Sequence, residues 1–446
     1  MNSDVLKLAS RAKAVLEKNW NGNYTRPSIP LYPHQWNWDS GFIAIGYSTY
    51  NQDKAQLELA SLFNAQWKNG MVPHTVFNPE VPSGYFPGAG FWDSSRSENA
   101  PDRYHTSGIT QPPIHATAAL RIYERAKDKE KAHAFLEQIY PKLVTSHRFF
   151  YKERDPKKEG LVYIRHPWES GIDNSPNWDI PLRKMSLEEI PSYKRKDLKK
   201  GIPAEQRPGD EDYDRYISLL ELFKKHDYHE ASILEECPFL IQDTLVNAIL
   251  VNANHDLAQI GEILGIDTSE IKDWEKKTKK AMNRKLWHRG HGIYDDYDLK
   301  ADSMIEIDTA TGFTPMYAGI PSKSQAQRLY DYLDSNSFCH IHNNRCFSVP
   351  NYNMEGEYFE PVNYWRGPIW ININWMLQQG LQRYGFNDKA ERIREDIIEL
   401  VRRFGFYEYF DPIKGKGYGS KNFSWTAALL LDVIYEQKHD TEQKSS

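Results

Sequence analysis

Cysteine is scarce in this chain: Cys237, Cys339 and Cys346 are the only three in 446 residues, which does not suggest a disulfide framework. No apolar run approaches the roughly 20 residues a membrane span needs. The opening residues Met1-Asn2-Ser3-Asp4-Val5-Leu6-Lys7 lack a secretory signal pattern, so a cytoplasmic protein with no membrane partner is expected. A strong excess of one charge is also missing. The formal net charge of −5 gives no reason to expect nucleic acid or an anionic surface as partner. What remains is a globular composition, 40% hydrophobic and 26% charged, with an excess of aromatics: 13 Trp, 27 Tyr and 19 Phe. Many of these lie in irregular segments, where packing alone explains them poorly and a carbohydrate cleft explains them well.

Helical periodicity dominates. Leu6, Ala9, Ala12, Val15 and Leu16 form one apolar face, and amphipathic stretches follow near 40–50, 53–68, 111–126, 129–152, 213–225, 241–264, 269–287, 323–334, 367–383, 388–404 and 424–437. Strand signals are few, at Leu161-Val162-Tyr163-Ile164 and Phe347-Ser348-Val349. About a dozen helices joined by short turns predict an all-α fold, either a closed toroid of six inner and six outer helices or a helical solenoid. Three long irregular segments, about 70–110, 154–212 and 335–365, interrupt the helices, and loops of that length are usually functional. The basic run from Lys184 to Arg207 reads as a lid or as a solvated surface. No linker divides the chain, so a single domain spanning 1–446 is expected, built for a small sugar substrate and open to homo-oligomerisation.

The densest chemistry lies at His166-Pro167-Trp168-Glu169-Ser170-Gly171-Ile172-Asp173-Asn174-Ser175-Pro176-Asn177-Trp178-Asp179. Three carboxylates and two indoles within a dozen residues suit sugar cleavage. Aromatic faces bind the apolar face of a pyranose, and a carboxyl in partly dry surroundings holds a proton near neutral pH. On residue type alone Glu169, Asp173 and Asp179 are all candidate acids. A second carboxylate is needed for water or the anomeric carbon. Phe406-Tyr407-Glu408-Tyr409-Phe410-Asp411-Pro412, ahead of Gly415, Gly417 and Gly419, offers Glu408 or Asp411. The bland alternative there is a capped helix end followed by a turn. Tyr32-Pro33-His34-Gln35-Trp36-Asn37-Trp38-Asp39-Ser40 and Asn363-Tyr364-Trp365-Arg366-Gly367-Pro368-Ile369-Trp370 each bring aromatics to the start of a helix, where Asp39 or Ser40 could also be a plain cap.

Taken together, these motifs resemble glycoside hydrolase family 63, a relative of the trehalases. The resemblance implies an (α/α)6 barrel, inversion at the anomeric carbon, no cofactor and no metal. It singles out Asp173 as general acid and Glu408 as general base. An inverting pair stands about 6.5–9.5 Å apart, with a water between them. The resemblance also assigns substrate contacts to Tyr32, Trp36, Trp38, Asp39, Gln111, Tyr364, Trp365 and Trp370, with Tyr85 from the aromatic loop. Short members of the family cleave glucosylglycerate and mannosylglycerate, binding the glycerate carboxylate through an Arg and a Tyr after the acid motif. Arg207 and Tyr213 match that pattern, and a guanidinium suits a carboxylate bidentately.

The alternatives are a hydrolase of a neutral glucobiose or trehalose and, outside that class, an (α/α)6 sugar epimerase using histidines such as His34, His74, His105 and His115. A non-catalytic sugar-binding protein fits least, because both carboxylates are present. Cys339-His340-Ile341-His342-Asn343-Asn344-Arg345-Cys346 packs four metal-capable residues into eight, but zinc sites prefer wider, paired spacings, so no metal is expected there.

Overall fold

The computed structural model describes residues 3–445 except 30, 82–84, 188–189, 196–202 and 344–345; side chains from 440 onward are also left aside. Parts of the aromatic loop, of the Lys184–Arg207 run and of the Cys/His segment lie outside the described residues.

The helices form two concentric layers. The inner ring runs Asn37–Ser48, His115–Arg125, Thr244–Ile263, Ala310–Met316, Ile371–Arg383 and Ser424–Ser445, each packed on the next and the last closing against the first. Each inner helix backs onto an outer one: Gln52–Phe63, Lys129–Glu153, Ser269–Lys285, Lys323–Leu333, Asn387–Phe404 and, closing the ring, Ser3–Asn19. This is the expected (α/α)6 toroid. Closure of the ring rules out the open solenoid. The two layers differ in sequence for a simple reason. Asn37–Ser48 is buried at every position, as an inner helix flanked on all sides must be, whereas Asn387–Phe404 buries one stripe and leaves its charges in water. The core is one contiguous hydrophobic cluster drawn from both layers.

Two expectations change. The stretch at 213–225 is indeed helical, within Asp210–Lys225, but it stands outside the ring and lies over the acid segment, with Tyr216 against His166 and Trp168. Its place among the inner helices is taken by the 3₁₀ helix Ala310–Met316, whose Gly312 and Pro315 break the helical sequence pattern. Neither expected strand forms, and the reason is the same in both. The Val162 N–H and C=O pair with the Asn247 side-chain amide at 3.0 and 2.9 Å, and those of Val349 with the Asn374 amide at 2.9 and 2.9 Å. An asparagine on an inner helix thus replaces the neighbouring strand. The one isolated bridge in the first segment joins Ile164 to Ile241.

Cys339 and Cys346 are joined in a disulfide, contrary to the expectation from cysteine number. The turn around His340 brings their Cα atoms to 5.9 Å, within bridging range. The pair is therefore closed on itself and is no zinc knuckle. Among the described residues, no helix is long and apolar enough to cross a membrane.

Candidate active site

Two connected chambers open at one end of the barrel. The inner one is walled by Tyr32, Trp36, Trp38, Asp39, Gln111, Trp365 and Glu408, with Gly171, Phe423 and Trp425. The outer one adds Tyr85, Phe86, Trp92, Trp168, Arg207 and Tyr213. Tyr32, Trp36, His74, Asp173 and Tyr364 border both. The structure thus brings together all the expected site residues except Trp370. That ring is 1% exposed and stacks on the back of Trp365 at 3.5 Å, while its Nε1–H donates to the Tyr364 carbonyl at 2.8 Å. It supports the wall without facing the chamber.

Asp173 owes its position to a sharply built loop. Pro167 opens the one-turn helix Pro167–Ser170, His166 caps it by accepting the Trp168 N–H at 3.0 Å, and Gly171 ends it with φ of 77°. Gly171 is required twice over: besides its left-handed backbone, a Cβ there would lie 2.5 Å from the Trp38 ring. The loop is then pinned from three sides. The Tyr216 hydroxyl donates to the Asp173 carbonyl (2.8 Å), the Trp365 N–H to Asn174 Oδ1 (3.0 Å), and Asn177 Nδ2 to Asp296 (2.5 Å). The Asp173 carboxyl is pushed up to about 7, first by burial; Glu408 adds to the rise, and Arg207 opposes it.

Glu408 arrives differently. The segment, for which a capped helix end was the bland alternative, is a β-hairpin, Tyr407–Phe410 with Gly417–Lys421, and the register slips between Tyr407 and Tyr409, so Glu408 sits at the irregularity. Such bulges re-aim side chains beside active sites. Its Oε1 accepts the Tyr32 hydroxyl at 2.8 Å; its Oε2 accepts the Ser420 N–H at 2.9 Å and Arg207 Nη2 at 3.3 Å. Three donors on one buried carboxylate suit its acceptor-only ionised form. Arg207 Nη1 also donates to the Tyr32 oxygen (2.8 Å), whose other neighbour is the Tyr364 hydroxyl at 3.2 Å. Tyr364 is held at φ of 41°, a left-handed conformation that is costly for a bulky residue.

The other carboxylates are committed elsewhere. Glu169 is fully enclosed, and burial alone would raise it. Arg154 at 2.8 and 2.9 Å, with the Arg165 N–H at 2.8 Å, outweighs that and holds it below the ordinary range. Asp179 is clamped by Arg366 at 2.9 and 2.7 Å, and Asp411 accepts the N–H groups of Ile413 and Lys414 in the hairpin turn. Asp39 lies in the inner chamber, its carboxyl raised well above the usual range by burial and then by Glu408.

Of the four histidines, only His74 borders the chambers, and burial lowers it to about 3, so it is neutral. His34 lies behind Trp36 and Tyr85, His105 is exposed, and His115 meets the Asn37 carbonyl at 3.1 Å. An epimerase needing paired histidines is not served. The walls also take in Trp168, one of the two indoles of the acid motif, His74, expected only as an epimerase histidine, and Phe423 and Trp425, which follow the glycine-rich turn.

The domain model for mannosylglycerate hydrolase MGH1-like glycoside hydrolases matches residues 32–426. A mannosylglycerate hydrolase of Rubrobacter radiotolerans is 48% identical over 431 residues, covering 96% of this chain and 97% of that protein. A glucosylglycerate hydrolase of Mycolicibacterium hassiacum is 35% identical over 96% of this chain and 98% of its own length. Among solved structures, a family 63 mannosylglycerate hydrolase of Thermus thermophilus, in complex with Tris and D-glycerate, superposes with a TM-score of 0.89. It is 41% identical, covering 95% of this chain and 99% of that one.

Proposed function

For a chain that belongs to the MGH1-like glycoside hydrolase family, we propose hydrolysis of glucosylglycerate or mannosylglycerate to hexose and glycerate with inversion at the anomeric carbon, by one catalytic domain. The observation that carries this reading is the position of Asp173 at the border of the two chambers, with Glu408 in the wall of the inner one. A hexose in the inner chamber and glycerate in the outer one would place the glycosidic oxygen beside Asp173.

In this mechanism Asp173, protonated near neutrality, gives its proton to the leaving oxygen of glycerate. Glu408 takes a proton from the water that attacks the opposite face. The donors on Glu408 keep it an acceptor and fix its aim. Trp365, backed by Trp370, and Trp36 offer aromatic faces to the sugar ring, and Asp39 and Gln111 offer polar groups to its hydroxyls. Arg207 and Tyr213 take the glycerate carboxylate. Supporting this role, Arg207 is 5% exposed, and its Nε–H has no hydrogen-bond partner among the described residues. Buried donors of this kind are costly unless a ligand completes them. Tyr193, stacked on Phe86, and Arg195, over the Tyr213 ring, put residues 190–195 at the rim, where a lid belongs.

The test is product analysis by proton NMR on glucosylglycerate, mannosylglycerate, trehalose and kojibiose. A glycerate substrate is expected to release the β-anomer first. Cleavage confined to the neutral disaccharides would overturn the glycerate reading, and release of the α-anomer would overturn inversion.

A further inference from the structure

The hairpin Trp287–His288 with Ile293–Tyr294 turns through Arg289, Gly290, His291 and Gly292, and carries two imidazoles whose ring centroids are 4.3 Å apart. The strand Ser303–Ile305, which belongs to a different sheet, ends beside it. Glu306 follows, with Oε1 3.7 Å from His288 Nε2. One ligand atom from each of His288, His291 and Glu306 lies within 4.8 Å of the others. Tetrahedral zinc with bonds of about 2.0–2.2 Å sets its ligand atoms roughly 3.3–3.5 Å apart. The remaining closure is at most about 1.5 Å, on a turn that contains two glycines, one at φ of 77°.

We propose that His288, His291 and Glu306 bind one divalent transition-metal ion of the zinc class, which clips the hairpin to the neighbouring sheet. Two imidazoles and a carboxylate select zinc, cobalt or nickel over magnesium and calcium, which prefer all-oxygen shells. Two acidic side chains near the cluster have oxygens without partners. Asp295 is 2% exposed, neither of its oxygens has a partner among the described residues, and Asp308 Oδ1 lacks one as well. A bound cation would be attracted to either of them in its charged form.

Protons balance on binding. His288 Nδ1 accepts the His291 N–H at 2.9 Å, so the proton of the neutral ring is on Nε2, facing Glu306. Metal binding moves that proton to Nδ1, gives up this one hydrogen bond and frees the Nε2 lone pair. His291 binds as the neutral ring, and water fills the fourth position. The clipped sheet includes Asp296, which anchors Asn177 of the acid segment.

The experiment uses the full chain after chelator treatment, with calorimetric titration of Zn2+ and visible spectroscopy of Co2+. Expected is one ion per chain and a tetrahedral Co2+ spectrum. In H288A and H291A, affinity should fall by more than the roughly 10–100-fold that loss of an outer-sphere partner costs. H342A, a histidine on the other cluster, should bind as wild type. Retained glycoside hydrolysis by H291A, an exposed turn residue, verifies that this variant folds. The proposal is overturned if wild type takes up no stoichiometric metal, or if H288A and H291A bind it unchanged.

Discussion

Replacing Asp173 by Asn removes the transferable proton and keeps the shape. Its neighbour Glu169, four residues earlier, is an equally acidic residue type, and the structure separates the two by environment. Asp173 is raised to about 7, chiefly by burial, while Arg154 and Arg165 hold Glu169 in its charged form. A general acid must be protonated to act, so activity should decline as pH rises through about 7. This alkaline limb reports the Asp173 proton. General acid catalysis is worth roughly 10²–10⁴-fold, and glycerate is a poor leaving group, so D173N should lose toward the upper end, about 4–5 kcal/mol of transition-state stabilisation. The assay is kcat/KM from about pH 5 to about pH 9 on the glycerate glycoside and on the matching α-glycosyl fluoride, whose leaving group needs no proton. D173N should be crippled on the first substrate and far less impaired on the second, with no alkaline limb. An equal loss on the fluoride would refute the assignment, as would disappearance of the limb in E169Q in place of D173N.

Arg207→Ala should cost roughly 10–100-fold in kcat/KM on glycerate glycosides, from losing charge-assisted hydrogen bonds of about 1.5–3 kcal/mol each. It should also move the alkaline limb to higher pH, because Arg207 lowers Asp173. A pH profile on both substrate classes checks the two effects. Glu169→Gln leaves Arg154 and Arg165 with one buried carboxylate, Glu230, between them. About 3–5 kcal/mol of stability should go, a Tm drop of roughly 3–5 °C for a chain of this length, read by calorimetry. Gly419→Ala puts a Cβ 2.5 Å from Glu408 Oε2 at a φ of 68°. Turnover should fall several-fold with substrate affinity little changed, measured as a split between kcat and KM.

Local sequence determined most of the helices, because a 3.6-residue apolar period records a helix whatever it packs against. All twelve amphipathic stretches became helical. The aromatic-acidic motifs likewise marked the segments that line the two chambers, since dense tryptophan beside carboxylates has few uses in a core. Their ranking was another matter. Glu169, Asp173 and Asp179 are near neighbours in one motif, and only Arg154 and Arg366, brought in from elsewhere in the chain, set Glu169 and Asp179 apart from Asp173. Trp365 and Trp370 share one motif too, yet stacking puts one at the wall and the other behind it. The strands at 161–164 and 347–349 failed because Asn247 and Asn374 reach them across the fold. The Glu408 bulge and the His288–His291–Glu306 cluster depend on which strands meet. Residue type and period are properties of the chain, whereas partner, burial and aim are properties of contacts between distant segments, and those exist only once the ring closes.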